Sequence, residues 1–256
     1  MPIAELVIAQ FSDCHLFADT HGLHHGANVY QNLLKVISAI AQDKNIDIVV
    51  FTGDLTQDHS EQSYVNFVQA VHLTKLVKPV YFLAGNHDEF SLLDKYLAGS
   101  PFNPLKFIES EHWQISLLNT KSATPAGFVS EQSLLTLSQN INRNKKQLLF
   151  THHHPIDVNY FIDKHGLENK PALWQVLAEY SSINAIACGH VHRALELEQL
   201  IDNRKISVLT CPATSIQFDP QASSVKALVA TRGQGIGYRR FSLYSNSRFS
   251  TQVVFC

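Results

Sequence analysis

Histidine, aspartate and asparagine gather in five short groups along the chain. They are Asp13-Cys14-His15, Gly53-Asp54, Gly85-Asn86-His87-Asp88, His152-His153-His154-Pro155 and Gly189-His190-Val191-His192. Pooled, they offer carboxylate and amide oxygens and imidazole nitrogens. Such a set suits Mn, Fe or Zn better than a structural all-cysteine zinc site. The donors are too many for one tetrahedral ion and match two ions sharing one carboxylate. Two ions roughly 3.5–4 Å apart activate a shared water as hydroxide and clamp the oxygens of a phosphorus centre during in-line attack. Each group alone has a plainer reading. Asp-x-His is commonly a surface pair, Gly-Asp a turn, and three histidines before a proline a polar loop. Gly-His-x-His is stronger, because alternate residues of an extended chain place both imidazoles on one side. The residues alone do not choose among His152, His153 and His154.

Apolar β-rich runs are what must position these groups. Strands are predicted over Leu6–Ser12, Asp47–Thr52, Val80–Ala84, Trp113–Asn119, Gln147–Thr151 and Ala185–Cys188. The groups near positions 13, 54, 86, 152 and 190 each follow one of them. Sites in α/β sheets form where loops leave the carboxyl ends of strands. Helices are predicted between the strands. Val29–Ala41 carries an apolar face behind Asn28 as N-cap, and Tyr64–Val77 repeats the spacing. Further helical patterns follow Ser130 and Pro171. After residue 204 the helices stop, and Ile206–Cys211, Val225–Ala230, Tyr238–Leu243 and Thr251–Phe255 read as strands. The order implies an α/β protein with mixed strands added at the end. A site spanning residues 13 to 192 argues for one domain over 1–256.

Composition narrows the function further. The 256 residues are 45% hydrophobic and 16% charged, with a formal net charge of −2. That excludes a disordered chain and any global basic field, so a nucleic-acid substrate is disfavoured. No apolar run reaches the roughly 18–20 residues needed to span a bilayer. The N-terminus does not read as a signal peptide. Cys14, Cys188, Cys211 and Cys256 show no CxxC spacing, and read as free thiols in a reducing compartment, hence a cytoplasmic protein.

The ordered series Asp-x-His, Gly-Asp, Gly-Asn-His-Asp, His-x-Pro and Gly-His-x-His resembles the calcineurin-like metallophosphoesterase superfamily. The stretches Asp13–Asn28, Gly53–Tyr64, Asp163–Asn169 and Pro212–Pro220 are most similar to the bacterial class III cyclic-AMP phosphodiesterases; the last 35 residues match least. Val29 stands where that group has threonine. The resemblance implies a four-layer α/β/β/α sandwich of two mixed sheets, with residues 205–256 completing the second sheet and forming one wall of the site.

It also implies roles. Asp13, His15 and His192 hold one metal, Asp54 bridges, and Asn86, His190 and one of the three histidines hold the other. The family's ligand two residues before proline selects His153. His87 is the catalytic group, supplying a proton or hydrogen bond to the leaving oxygen, with Asp88 as the neighbour that orients it. Asn86, His87 and His192 also meet the substrate. The implied reaction is attack of a metal-bridging hydroxide on 3′,5′-cyclic AMP, giving 5′-AMP. The implied cofactors are two ions of Fe, Mn or Zn. Asp58 and His59 are candidates for support; His21, His24, His25 and His165 for a substrate-facing rim. His72 and His112 are expected to be structural or surface residues. The tail strands suit a homodimer interface or a plain sheet edge. The competing expectations are another phosphodiester (a glycerophosphodiester, a UDP-linked lipid precursor or broad specificity) and a non-catalytic scaffold. The intact ligand set and His87 argue against the scaffold.

Overall fold

The computed structural model describes residues 3–224 and 234–256. In chain order the elements are β1 (Leu6–Phe11), β2 (Leu23–His24), β3 (Ala27–Asn28), α1 (Val29–Gln42), β4 (Ile48–Phe51) and α2 (Glu61–Leu73). Then come β5 (Val80–Phe82), α3 (Phe90–Tyr96), β6 (Phe102–Asn103), β7 (Phe107–Glu109), β8 (Trp113–Leu117) and α4 (Glu131–Asn140). After β9 (Lys146–Thr151) and a 3-10 turn (Phe161–His165) follow α5 (Lys170–Ala178), β10 (Ile183–Cys188) and β11 (Glu196–Ile201). The described chain closes with β12 (Arg204–Thr210), β13 (Gly237–Leu243) and β14 (Phe249–Phe255). One sheet has the order β14-β13-β1-β4-β5-β6, the other β11-β12-β10-β9-β8-β7, and β2-β3 is a small hairpin.

Alternation along the strands builds the layers, because successive side chains point to opposite faces. In β1, Val7, Ala9 and Phe11 face one core while Ile8 faces another; β4 divides Val49 and Phe51 from Ile48 and Val50 in the same way. The core between the sheets joins Ile8 and Val50 to Leu148, Phe150, Ala185 and Phe241. Outside the first sheet, α1, α2 and α3 add Leu33, Phe67 and Leu93. Outside the second, α4 and α5 add Leu137 and Leu173 beside Leu149 and Ile186. The result is α/β/β/α, as expected.

The helix starts have local causes. Asn28, Ser60 and Ser130 each accept a hydrogen bond from the backbone N–H three residues on, satisfying donors that have no partner within the helix. The Ser60 cap starts α2 three residues before the predicted Tyr64. Pro171 sits in the first turn of α5.

One expectation needs correction. The tail does not simply complete the second sheet. β12 joins it, but β13 pairs antiparallel with β1 and carries β14, so both extend the first sheet. The strand predicted at Val225–Ala230 lies outside the described residues. Sequence reading also misses β11. Its alternating, exposed Glu196 and Glu198 suit an edge strand but dilute the apolar signal. Among the described residues, no helix is long and apolar enough to cross a membrane.

Candidate metal centre

Loops leaving β1, β4 and β5 in one sheet and β9 and β10 in the other meet over the seam between the sheets. Asp13, His15, Asp54, His190 and His192 all have left-handed backbones, with φ between 49° and 65°. For non-glycine residues this costs of order 1–3 kcal/mol each, and such strain concentrates at functional sites. Backbone ties hold the turns. Asp13 N–H donates to Gly53 O at 2.9 Å and Cys14 N–H to Asp54 O at 2.7 Å. Gly85 packs so closely that a Cβ there would lie 2.2 Å from Asp54 Oδ1. Gly189 is closed in by Ser12 Oγ, 2.1 Å from where its Cβ would be.

Asp13, His15 and His192 form the first donor group. His15 Nε2 lies 3.0 Å from His192 Nε2 and 3.6 Å from Asp54 Oδ2; His192 Nε2 lies 3.5 Å from Asp13 Oδ1. The other ring nitrogens are engaged. His15 Nδ1–H donates to Gln57 Oε1 and His192 Nδ1–H to Ile216 O, both at 2.8 Å. The Nε2 lone pairs therefore face inward.

The second group is built on His152. Its Nδ1–H donates to Thr52 O at 2.7 Å. Its Nε2 lies 3.1 Å from Asn86 Oδ1, 3.2 Å from His190 Nδ1 and 3.4 Å from Asp54 Oδ2. His153, the expected ligand, shares a group with His152 and His190 whose ligand atoms lie within 4.8 Å of one another. Its Nδ1 meets Thr120 Oγ1 at 2.8 Å and its Nε2 meets Pro125 O at 3.2 Å. Both of its nitrogens are occupied. The first histidine after β9 turns inward, and His154 turns to Asp163.

Asp88 also departs from expectation. It does not orient the His87 ring. Oδ2 accepts from Asp54 N–H and Gly85 N–H, and Oδ1 from Leu55 N–H, so it pins the β4 and β5 loops together. His87 N–H donates to Asp54 Oδ1 at 2.9 Å. The support comes from His59, whose Nδ1 donates to His87 O at 3.0 Å and whose ring lies parallel to that of His87 at 5.5 Å. Asp58 instead accepts from Ala18 N–H and from Ser60, which shapes its own loop.

The donor set fits metal. Burial drives the His15, His153 and His190 pKa values well below the ordinary range and that of His192 to about 3, leaving neutral imidazoles. Burial, and then repulsion from Asp54, raises Asp13 to about 7. Burial opposes the charge on His152, yet Asp54 lifts it to about 9; His152 in turn helps hold Asp54 well below the usual carboxylate range. The imidazoles of His15, His152, His190 and His192 and the carboxylates of Asp13 and Asp54 together make a donor set that fits cations. The buried Nε2 of His190 and Nδ1 of His87 have no hydrogen-bond partner.

A cavity of about 270 Å³ opens above the donors. Asp54, Asn86, His87, His190 and His192 lie at its base, while His24, His165, Ile162 and Phe218 also line it. His24 stacks on His15 at 5.3 Å and Phe218 on His192 at 4.0 Å. Of the expected rim, His24 and His165 line the cavity, whereas His21 and His25 are exposed and do not. His72 is exposed, and His112 pairs with Glu5. Val29 is buried in the outer core and brings no polar group to the site. Sequence reading missed Gln57, Thr120, Ile162 and Phe218. Gln57 and Phe218 had a signal, since they lie within Gly53–Tyr64 and Pro212–Pro220, two stretches that carry the resemblance.

Residues 6–194 match the calcineurin-like phosphoesterase family. A probable cyclic nucleotide phosphodiesterase of Colwellia psychrerythraea is 54% identical, covering 97% of this chain and 94% of its own. The 3′,5′-cyclic adenosine monophosphate phosphodiesterase CpdA of Haemophilus influenzae is 32% identical, covering 98% and 90%. A dimetal phosphatase from Danio rerio shares the fold at TM-score 0.68 and 14% identity, covering 98% and 96%. The chain belongs to the calcineurin-like phosphoesterase family.

Proposed function

We propose that this chain is a dinuclear-metal phosphodiesterase that hydrolyses 3′,5′-cyclic AMP to 5′-AMP. The observation that carries the reading is the meeting of Asp13, His15, Asp54, Asn86, His152, His190 and His192 beneath a cavity that His87 also lines. Asp13, His15 and His192 would hold one ion and Asn86, His152 and His190 the other, with Asp54 available to both. When bound, the two ions lower the pKa of water and neutralise charge on the phosphoryl oxygens. Mn, Fe and Zn all suit these donors.

The chain's own groups do the rest. Asp54 fixes His87 through its backbone N–H. The His87 ring then delivers a proton or hydrogen bond to the departing 3′ oxygen. The amide of Asn86 and the ring of His192 border the same space and orient the phosphodiester. Phe218 and Ile162 exclude water from one wall. Names given to relatives for cyclic-nucleotide cleavage support the substrate, and the free buried thiols support a reducing, cytoplasmic setting. We treat residues 1–256 as one domain, because β1 and β13 come from opposite ends of the chain and share a sheet.

The test is turnover of cyclic AMP by metal-loaded protein, beside bis-p-nitrophenyl phosphate. Conversion to 5′-AMP, lost in Asn86→Ala and His87→Ala, is expected. Hydrolysis of the artificial diester alone would keep the metal chemistry and discard the substrate.

A further inference from the structure

A second cavity, about 480 Å³, adjoins the first and shares Asn86, His87 and Pro125 with it. Its walls differ. Where the metal cavity has Ile162 and Phe218, this one has His59, Glu89, Lys121, Ser122 and Thr124. Lys121 Nζ donates to Asn86 O at 3.0 Å, and among the described residues no carboxylate pairs with it. An ammonium has three donors, so donors remain for a ligand. Ser122 and Thr124 are bound within their own loop, which fixes its shape. One ammonium and one carboxylate leave the cavity without strong net charge. That suits a polar, uncharged guest.

The position of His87 says which guest. It lines both cavities and, on the reading proposed above, serves the leaving oxygen. In a cyclic nucleotide that oxygen stays on the same ribose and needs no room. A separate alcohol leaving on the His87 side would enter the second cavity.

We propose that this cavity receives the leaving nucleoside of a linear phosphodiester, so that the chain also splits dinucleoside monophosphates. In adenylyl-(3′→5′)-adenosine, a water oxygen bonds to phosphorus and the P–O3′ bond breaks. The 3′ oxygen takes a proton by way of His87, which regains one from the attacking water. The products are 5′-AMP and adenosine, with one water consumed. A single-phosphate substrate needs no extended basic surface, so the net charge of −2 is no obstacle.

The test uses the full metal-loaded enzyme with this dinucleotide, cyclic AMP and bis-p-nitrophenyl phosphate. Adenosine and 5′-AMP should appear in equal amounts. Ala123 lines the cavity and is exposed. Ala123→Trp should lower kcat/KM for the dinucleotide at least tenfold relative to cyclic AMP. Lys121→Met should raise KM for the dinucleotide at least fivefold more than KM for cyclic AMP. Binding of the dinucleotide to metal-free protein, by equilibrium dialysis, should weaken in step. Failure to release adenosine while either other substrate is cleaved overturns the proposal, as does a proportional loss on both nucleotides in both variants. Cleavage of the dinucleotide without cyclic AMP would keep this cavity's role and remove the cyclic-nucleotide reading.

Discussion

The two sheets supply opposite halves of the donor cluster. The first gives both carboxylates, the amide and one imidazole: Asp13, Asp54, Asn86 and His15. The second gives imidazoles alone, His152, His190 and His192. Their support differs as well. The first-sheet turns are tied to one another by main-chain bonds and by Asp88. The second-sheet rings rely on atoms outside their own sheet. His152 is oriented by Thr52 O, which follows β4, and His192 by Ile216 O. His190 N–H donates to Asp13 at 3.0 Å. The half that carries the carboxylates is thus built by its own loops, and the half made of imidazoles alone is aimed by what it docks against.

The widest separation should come from neighbouring histidines. His152→Ala should leave about one bound ion per chain in place of two, by elemental analysis, with activity lost. His153→Ala should keep both ions. The reverse result would return the ligand role to His153. Next, His87→Ala should lower kcat by about 10²–10⁴-fold with metal content unchanged. Metal loss in that variant would make His87 a ligand. Gln57→Leu, which leaves the His15 Nδ1–H without its acceptor, should weaken metal binding by about 10–100-fold, read by chelator competition. The smallest effect is in pH. His152 holds a proton up to about 9 in the metal-free protein, above the ordinary histidine value, and an incoming ion must expel it. Affinity should therefore rise with pH, by about tenfold per unit between about 7 and 9, and flatten above it. A pH-independent affinity would show that His152 binds no ion.

Much of this was legible in the sequence because period-two apolar strands and group spacing are local properties. The strand ends bearing Asp13, Asp54, Asn86 and His190 could be placed for that reason. The choice among His152, His153 and His154 could not be read. Which ring turns inward depends on Thr52 O, Thr120 and Pro125, which come from other elements. Asp88 was misread likewise: its sequence neighbour is His87, but its bonds reach back to Asp54 and Leu55. The division of the tail between sheets depends on β13 returning to β1, a pairing across more than two hundred residues.

The donors come from both sheets, so ions held there would act as rivets through the seam. Their free energy of binding is added to folding wherever the unfolded chain does not bind them. Occupancy at a hundred times the dissociation constant contributes about 2.7 kcal/mol per site. The melting temperature should then climb with the logarithm of free metal and fall with chelator, which makes heat a gauge of loading that needs no substrate.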